Sequence, residues 1–147
     1  MLYEKTKDDY LFSNDKTKLD VACIHSFLST ESYWAINIPK ETVEGSIKGS
    51  ECFALYHKNK QIGFARVITD RVSFAYLADV FVLMDYRGKG LSKDLMAFIM
   101  AYPLFKNMRR FMLATKDAHS LYTPFGFKAL SESERFMEIK PFESYPL

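Results

Sequence analysis

Residues 80–96 read Val80-Phe81-Val82-Leu83-Met84-Asp85-Tyr86-Arg87-Gly88-Lys89-Gly90-Leu91-Ser92-Lys93-Asp94-Leu95-Met96. An apolar strand runs into a turn with glycines at 88 and 90, and the turn opens an amphipathic helix. The first turn of a helix leaves backbone N–H groups without partners, and the aligned peptide dipoles place partial positive charge there. Gly88 and Gly90 have no Cβ, so an anion can approach the backbone closely. Arg87, Lys89 and Lys93 add positive charge around the same turn. This segment is expected to hold a phosphorylated ligand. Its spacing excludes two common phosphate sites: a dinucleotide fingerprint needs a third glycine where Lys93 stands, and the P-loop pattern is absent.

Working outward, Val72–Leu83 is apolar on both faces and reads as a central strand. Gly90–Phe105 reads as a helix that buries Leu91, Leu95, Phe98, Ile99 and Tyr102 and turns Lys93 and Asp94 to water. Upstream, Cys52–His57 and Ile62–Ile68 form a hairpin pattern around Lys58–Gln61. Tyr10–Ser13 reads as a first strand, Leu19–Ser29 as a helix, and Lys40–Ile47 as a second helix that follows Pro39 and ends at Gly49. Downstream, strands are expected at Phe111–Ala114 and Phe136–Ile139, with a further one at Phe127–Leu130, and a short helix at Ala118–Thr123. The expected order is β-α-α-β-β-β-α-β-α-β, a mixed α/β (α+β) pattern and not a doubly wound sheet.

The 147 residues are expected to form one domain, 1–147, with a sizeable core. Thirteen Phe and nine Tyr point to an aromatic-rich core or pocket. A net charge of +2, with the basic residues scattered, argues against a nucleic-acid partner. No apolar run approaches the length of a membrane span, so no membrane partner is expected. Met1–Tyr10 is too polar and charged for a signal peptide. Cys23 and Cys52 lack metal-ligand spacing and read as free thiols of a reducing, cytoplasmic compartment. His25 and His57 have no partner at metal spacing, so no metal is expected.

Two stretches resemble the GNAT family of N-acetyltransferases. Arg87-Gly88-Lys89-Gly90-Leu91-Ser92 is similar to that family's Arg/Gln-x-x-Gly-x-Gly/Ala motif, with the small Ser92 at the last position. Asp117-Ala118-His119-Ser120-Leu121-Tyr122-Thr123-Pro124-Phe125-Gly126-Phe127 resembles its second motif, with Leu-Tyr-x-x-x-Gly-Phe intact. The resemblance spans roughly residues 10–140, and two motifs in the right order are far more specific than either alone. It implies the GNAT fold: a central mixed, mostly antiparallel sheet flanked by helices, with splayed strands forming a coenzyme A cleft. It implies acetyl-CoA as cosubstrate, held by residues 87–92. The backbone of Phe81 and Val82 would pair with the pantetheine arm as an added strand does. Asp117 and Phe125 would line the same ligand, Asp117 reading also as the N-cap of the short helix. Tyr122 would protonate the leaving thiolate. The rival reading of Tyr122 is a core aromatic with a satisfied hydroxyl.

An alkylammonium cannot attack a thioester, so the acceptor amine must lose a proton. Asp79 is a lone carboxylate in the apolar strand, where an unpaired charge would be costly. It is either a hydrogen-bonded structural group or a base facing the cleft. His119 has the right unperturbed pKa for a base, though a surface position suits it as well. Tyr76 and Arg66 could line the acceptor pocket with it, and water could carry the proton instead. The reading is an N-acetyltransferase that takes a small-molecule amine by direct attack in a ternary complex. A homodimer through a sheet edge is compatible with it. The alternative is a non-catalytic acyl-CoA sensor, which would need the turn but not Tyr122 or Asp79. A phosphate site unrelated to coenzyme A would leave the second motif unexplained.

Overall fold

The computed structural model describes residues 1–147. Six strands form one sheet in sequence order: β1 (Glu4–Lys7), β2 (Tyr10–Ser13), β3 (Glu51–His57), β4 (Lys60–Thr69), β5 (Phe74–Val82) and β6 (Arg110–Leu113). All neighbours are antiparallel except β5 and β6, which run parallel. The parallel pair is bridged by α3 (Leu91–Met100), as a parallel crossover requires. Helices α1 (Val21–Thr30) and α2 (Lys40–Lys48) follow β2, and α4 (His119–Tyr122) follows β6. No helix is long and apolar enough to cross a membrane.

Each sheet face has its own core. Leu91, Leu95, Met96, Phe98 and Ile99 of α3 pack against Phe53, Leu55, Ala65, Val67 and Leu77. On the opposite face Ile24, Phe27 and Leu28 of α1 and Val43 and Ile47 of α2 meet Ala54, Phe64 and Phe81. The rings of Phe27 and Phe81 stack with centroids 4.0 Å apart, fixing α1 over the end of β5. Helix α1 starts where Asp20 accepts a hydrogen bond from the Cys23 N–H.

Several expectations need correction. The chain begins with a strand, β1, that has no apolar alternation: all four of its residues are exposed, and only its hydrogen bonds to β2 define it. Helix α3 stops at Met100, and Pro103 lies in the 3₁₀ turn that follows, where its missing N–H and ring forbid continuation. Asp94 is half-buried and pairs with Lys7 of β1 at 3.0 Å, so it does not simply face water. No strand forms at Phe127–Leu130 or Phe136–Ile139. Gly126, at φ 98°, ends the turn after α4, and no backbone hydrogen bond joins the later segment to β6. Phe136 sets its ring against the Arg110 guanidinium at 4.9 Å, while Met137 and Ile139 stay exposed. An apolar run becomes a strand only where a sheet edge takes it up.

Candidate active site

The parallel pairing of β5 with β6 covers Phe74–Leu77 against Arg110–Leu113 and then stops. β5 continues through Ala78–Val82 with no partner on that side. The strands splay and leave a cleft of about 640 Å³ between them. Its walls are Tyr76–Val82 on one side and Leu113–Ala118 on the other, with Arg87 and Ser92 at the α3 end. Phe27, Glu31, Tyr33 and Trp34 line the α1 end. The cleft is thus lined from both helical layers. The edge of β5 offers unpaired amide and carbonyl groups to an extended, amide-bearing ligand, as an added strand would be met.

At the α3 end lies a set of open donors that suits an anion. The first intrahelical bond of α3 runs from the Asp94 N–H to the Gly90 carbonyl, so the N–H groups of Leu91, Ser92 and Lys93 have no helical acceptor. The N-cap is Gly90, which has no side chain to satisfy them. Asp20 does that work at α1; α3 leaves its donors and its dipole open to a ligand. Gly88 and Gly90 sit at φ 79° and 77°, the left-handed region, and an added Cβ at either would meet nothing within 4 Å. Glycine is favoured here by the backbone, and the open space beside it leaves room for an anion. Arg87 Nε donates to the Val82 carbonyl at 3.0 Å and ties the turn to the strand end. Lys89 lies over the Tyr86 ring, 5.5 Å from its centroid. A phosphorylated ligand with an extended amide arm, such as coenzyme A, fits this donor set and this edge.

Midway along the cleft, Asp79 adopts φ 55°, a conformation Asp tolerates better than most residues but one that still carries strain. It coincides with a break in the β4–β5 register between Phe64 and Arg66, a bulge that kinks the wall. The carboxylate does not stand alone. One oxygen accepts from Arg66 Nε at 2.5 Å and the other from the Trp34 indole N–H at 2.8 Å. Both ion-pair side chains are well covered, with 17% and 9% of their surface exposed. Arg66 in turn donates to the Ser50 hydroxyl. Asp79 is thus hydrogen-bonded and also lines the cleft, so the arrangement carries features of both sequence readings. Arg66 lies behind Asp79 and does not line the cleft, whereas Tyr76 does.

Tyr122 lines the cleft. It is 8% exposed, and burial pushes its phenol up to about 12, so it stays protonated throughout the neutral range. The turn around it is held by other groups: Thr115 Oγ1 accepts from the Ala118 N–H, and Thr123 Oγ1 donates to the His119 carbonyl. The expected N-cap role of Asp117 is therefore corrected. Helix α4 starts at His119 after Ala118, and Thr115 secures the turn, leaving Asp117 in the cleft wall. His119 and Phe125 lie elsewhere. They line a second cavity of about 580 Å³ behind β6, which Tyr122 also borders. Tyr33 and Trp34 were not foreseen. They sit on the α1–α2 loop, where no periodicity marks them; adjacent aromatics in a connecting segment were the available signal.

An open mixed sheet, a splayed parallel pair and an uncapped helix N-terminus at its mouth define a fold built around a central cleft. Comparison with known proteins places it. Residues 48–129 match the family profile described as the acetyltransferase (GNAT) domain. An inferred acetyltransferase of Gibberella zeae is 31% identical over 137 residues, covering 80% of this chain and 77% of that protein. The crystal structure of an inferred GNAT-family acetyltransferase of Xanthomonas campestris pv. campestris superposes with a TM-score of 0.87. It is 44% identical, over 89% of this chain and 92% of that one. The structure of N-acetylglutamate synthase of Neisseria gonorrhoeae, complexed with coenzyme A and N-acetyl-glutamate, has a TM-score of 0.68 at 18% identity. It covers 88% of this chain and 30% of that one, and shares the fold. The chain belongs to the GNAT acetyltransferase family, whose chemistry is acetyl transfer from acetyl-CoA.

Proposed function

We propose that this protein transfers the acetyl group of acetyl-CoA to the amine of a small molecule, by direct attack within the cleft. The observation that carries the reading is the uncapped start of α3 at the mouth of the β5–β6 splay, with Tyr122 in the lining of the same cleft. The free N–H groups of Leu91–Lys93, with Arg87, Lys89 and the open space at Gly88 and Gly90, would hold the pyrophosphate. The edge of Ala78–Val82, including Phe81 and Val82, would receive the pantetheine amides, with Asp117 on the facing wall. This remote binding fixes the thioester beside Tyr122 and lowers the entropic part of the barrier.

The amine enters from the α1 side, past Tyr33 and Trp34, and reaches Tyr76 and the bulge at Asp79. Those loop aromatics line the α1 end of the cleft, and the acceptor that passes them is small and not a folded protein. The neutral amine attacks the thioester carbonyl, and the backbone at the β5 bulge supplies the donors for the developing oxyanion. A carbon–nitrogen bond forms, the carbon–sulfur bond breaks, and the Tyr122 hydroxyl gives its proton to the sulfur. The proton shed by the amine passes to water and restores Tyr122. Asp79 already accepts from Arg66 and Trp34, so its part is to hold the wall, and water takes the role of base. The two free cysteines fit work in a reducing compartment such as the cytoplasm.

The test is thiol release from acetyl-CoA against a panel of small amines, comparing wild type with Tyr122→Phe. The enzyme reading expects amine-dependent release that falls about a hundredfold in the variant while acetyl-CoA affinity is kept. Binding of acetyl-CoA without turnover of any amine would instead support a non-catalytic sensor.

A further inference from the structure

The α1–α2 loop touches both walls of the cleft. The Trp34 indole N–H reaches Asp79 on β5 at 2.8 Å. The neighbouring Tyr33 hydroxyl accepts from the Lys116 backbone N–H, beyond the end of β6, at 2.9 Å. The two rings stand nearly perpendicular, with centroids 5.0 Å apart, so the two contacts are mechanically one unit. The Lys116 ammonium lies over the Tyr33 ring at 5.6 Å and adds to the second anchor. No ladder hydrogen bond joins β5 to β6 beyond Leu77 and Leu113. On the acceptor side, the span between the walls is therefore bridged by this loop.

We infer that Tyr33 and Trp34 form a clasp that sets the separation of the two cleft walls, and that they are positioning residues for acetyl transfer. The Asp79 bulge, aimed at the thioester carbonyl, rides on β5; Tyr122, aimed at the sulfur, rides on the segment after β6. Catalysis needs both at once; Tyr122 packs with Leu77 and Val82 on the α3 side, and on the α1 side the Trp34 and Tyr33 hydrogen bonds link the two walls. Trp34 and Arg66 also hold Asp79 from opposite sides, which keeps a non-glycine residue at positive φ. The clasp rests on the acetyltransferase reading for its catalytic meaning, but its mechanical part can be tested without turnover.

The test uses Tyr33→Phe, Trp34→Phe and the double variant; each keeps the aromatic ring and loses the hydroxyl or the indole N–H. The expected result is a fall in kcat of about ten- to a hundredfold for each single variant, with KM for acetyl-CoA held within about twofold. The double variant should be no slower than the worse single, because breaking either link frees the same loop. Losses that multiply, or an unchanged kcat in folded variants, overturn the clasp. Trp34 is the chain's one tryptophan, so its fluorescence reports on the loop alone. In Tyr33→Phe the emission should shift to longer wavelength and become easier to quench with acrylamide. An unchanged emission refutes the clasp even if no amine is turned over. Absence of thiol release from wild type combined with the emission shift would instead fault the acetyltransferase reading and leave the clasp standing.

Discussion

Gly90→Ala separates two properties of the phosphate turn that are usually confounded. Gly90 lies at φ 77°, and a Cβ there meets no protein atom within 4 Å. The stability cost is therefore the backbone penalty alone, about 1 kcal/mol for an alanine in the left-handed region. For a domain of this size that lowers Tm by roughly 2–4 °C. The new methyl group does intrude on the space beside the open N–H groups of Leu91–Lys93. Losing one charge-assisted hydrogen bond to phosphate costs about 1.5–3 kcal/mol, so acetyl-CoA should bind roughly ten- to a hundredfold more weakly. Gly126→Ala is the internal control. It also has positive φ and no atom within 4 Å of a built Cβ, but it borders the cavity behind β6 and not the cleft. The assay is calorimetric titration with acetyl-CoA beside thermal melts of both variants. Equal melting losses with weakened binding only in Gly90→Ala are expected. Equal, unchanged affinities in both variants would refute the assignment of the turn to phosphate.

Further outcomes follow from the same geometry. Arg66→Met leaves the Asp79 carboxylate covered and without its cation, which should cost about 3 kcal/mol in denaturant unfolding; Asp79→Asn in the same chain should restore part of that loss, and additive losses would contradict the ion pair. Tyr122 has its ionisation pushed up to about 12, so the unfolded chain sheds that proton first, near pH 10. Stability from this group is complete below pH 10 and falls as pH rises from 10 towards 12, and pH-dependent melts should show a shallower alkaline loss in Tyr122→Phe. For the same reason kcat should show no Tyr122-dependent decline between pH 7 and 10, and a decline abolished by Tyr122→Phe would contradict the raised phenol. Phe27→Ala removes the ring stacked on Phe81 and should lower unfolding free energy by about 3–5 kcal/mol; a loss below 1 kcal/mol would mean that α1 is not anchored through this pair.

The sequence carried the middle of the fold and the glycine turn before α3 because both are written in local chemistry. The β3–β4 hairpin has apolar runs on either side of Lys58 and Asn59, both at positive φ, as a tight two-residue turn demands. The turn at Gly88 and Gly90 is legible because glycine adopts that left-handed backbone without penalty. What escaped depends on distant partners. β1 is four exposed residues, defined wholly by its pairing with β2, and its charged side chains suit an edge strand. The segments at 127–130 and 136–139 have strand composition but no ladder. Asp79 stands out in the sequence as a lone charge in an apolar run, which implies a partner without naming it. Its partner Trp34 lies 45 residues away on a loop, a distance no periodicity spans. His119 and Phe125 share a motif with Tyr122 yet face the other side of β6, because one turn of short helix divides that motif between two cavities.

The central claim is that the cleft between β5 and β6 receives acetyl-CoA with its phosphates at the start of α3. Calorimetric titration of the wild-type protein with acetyl-CoA, repeated with acetylated pantetheine lacking the nucleotide and pyrophosphate, tests it most directly. The account predicts one site per chain for acetyl-CoA and a loss of affinity of at least about a hundredfold for the truncated ligand. A folded protein that binds neither, or binds both equally, would contradict it.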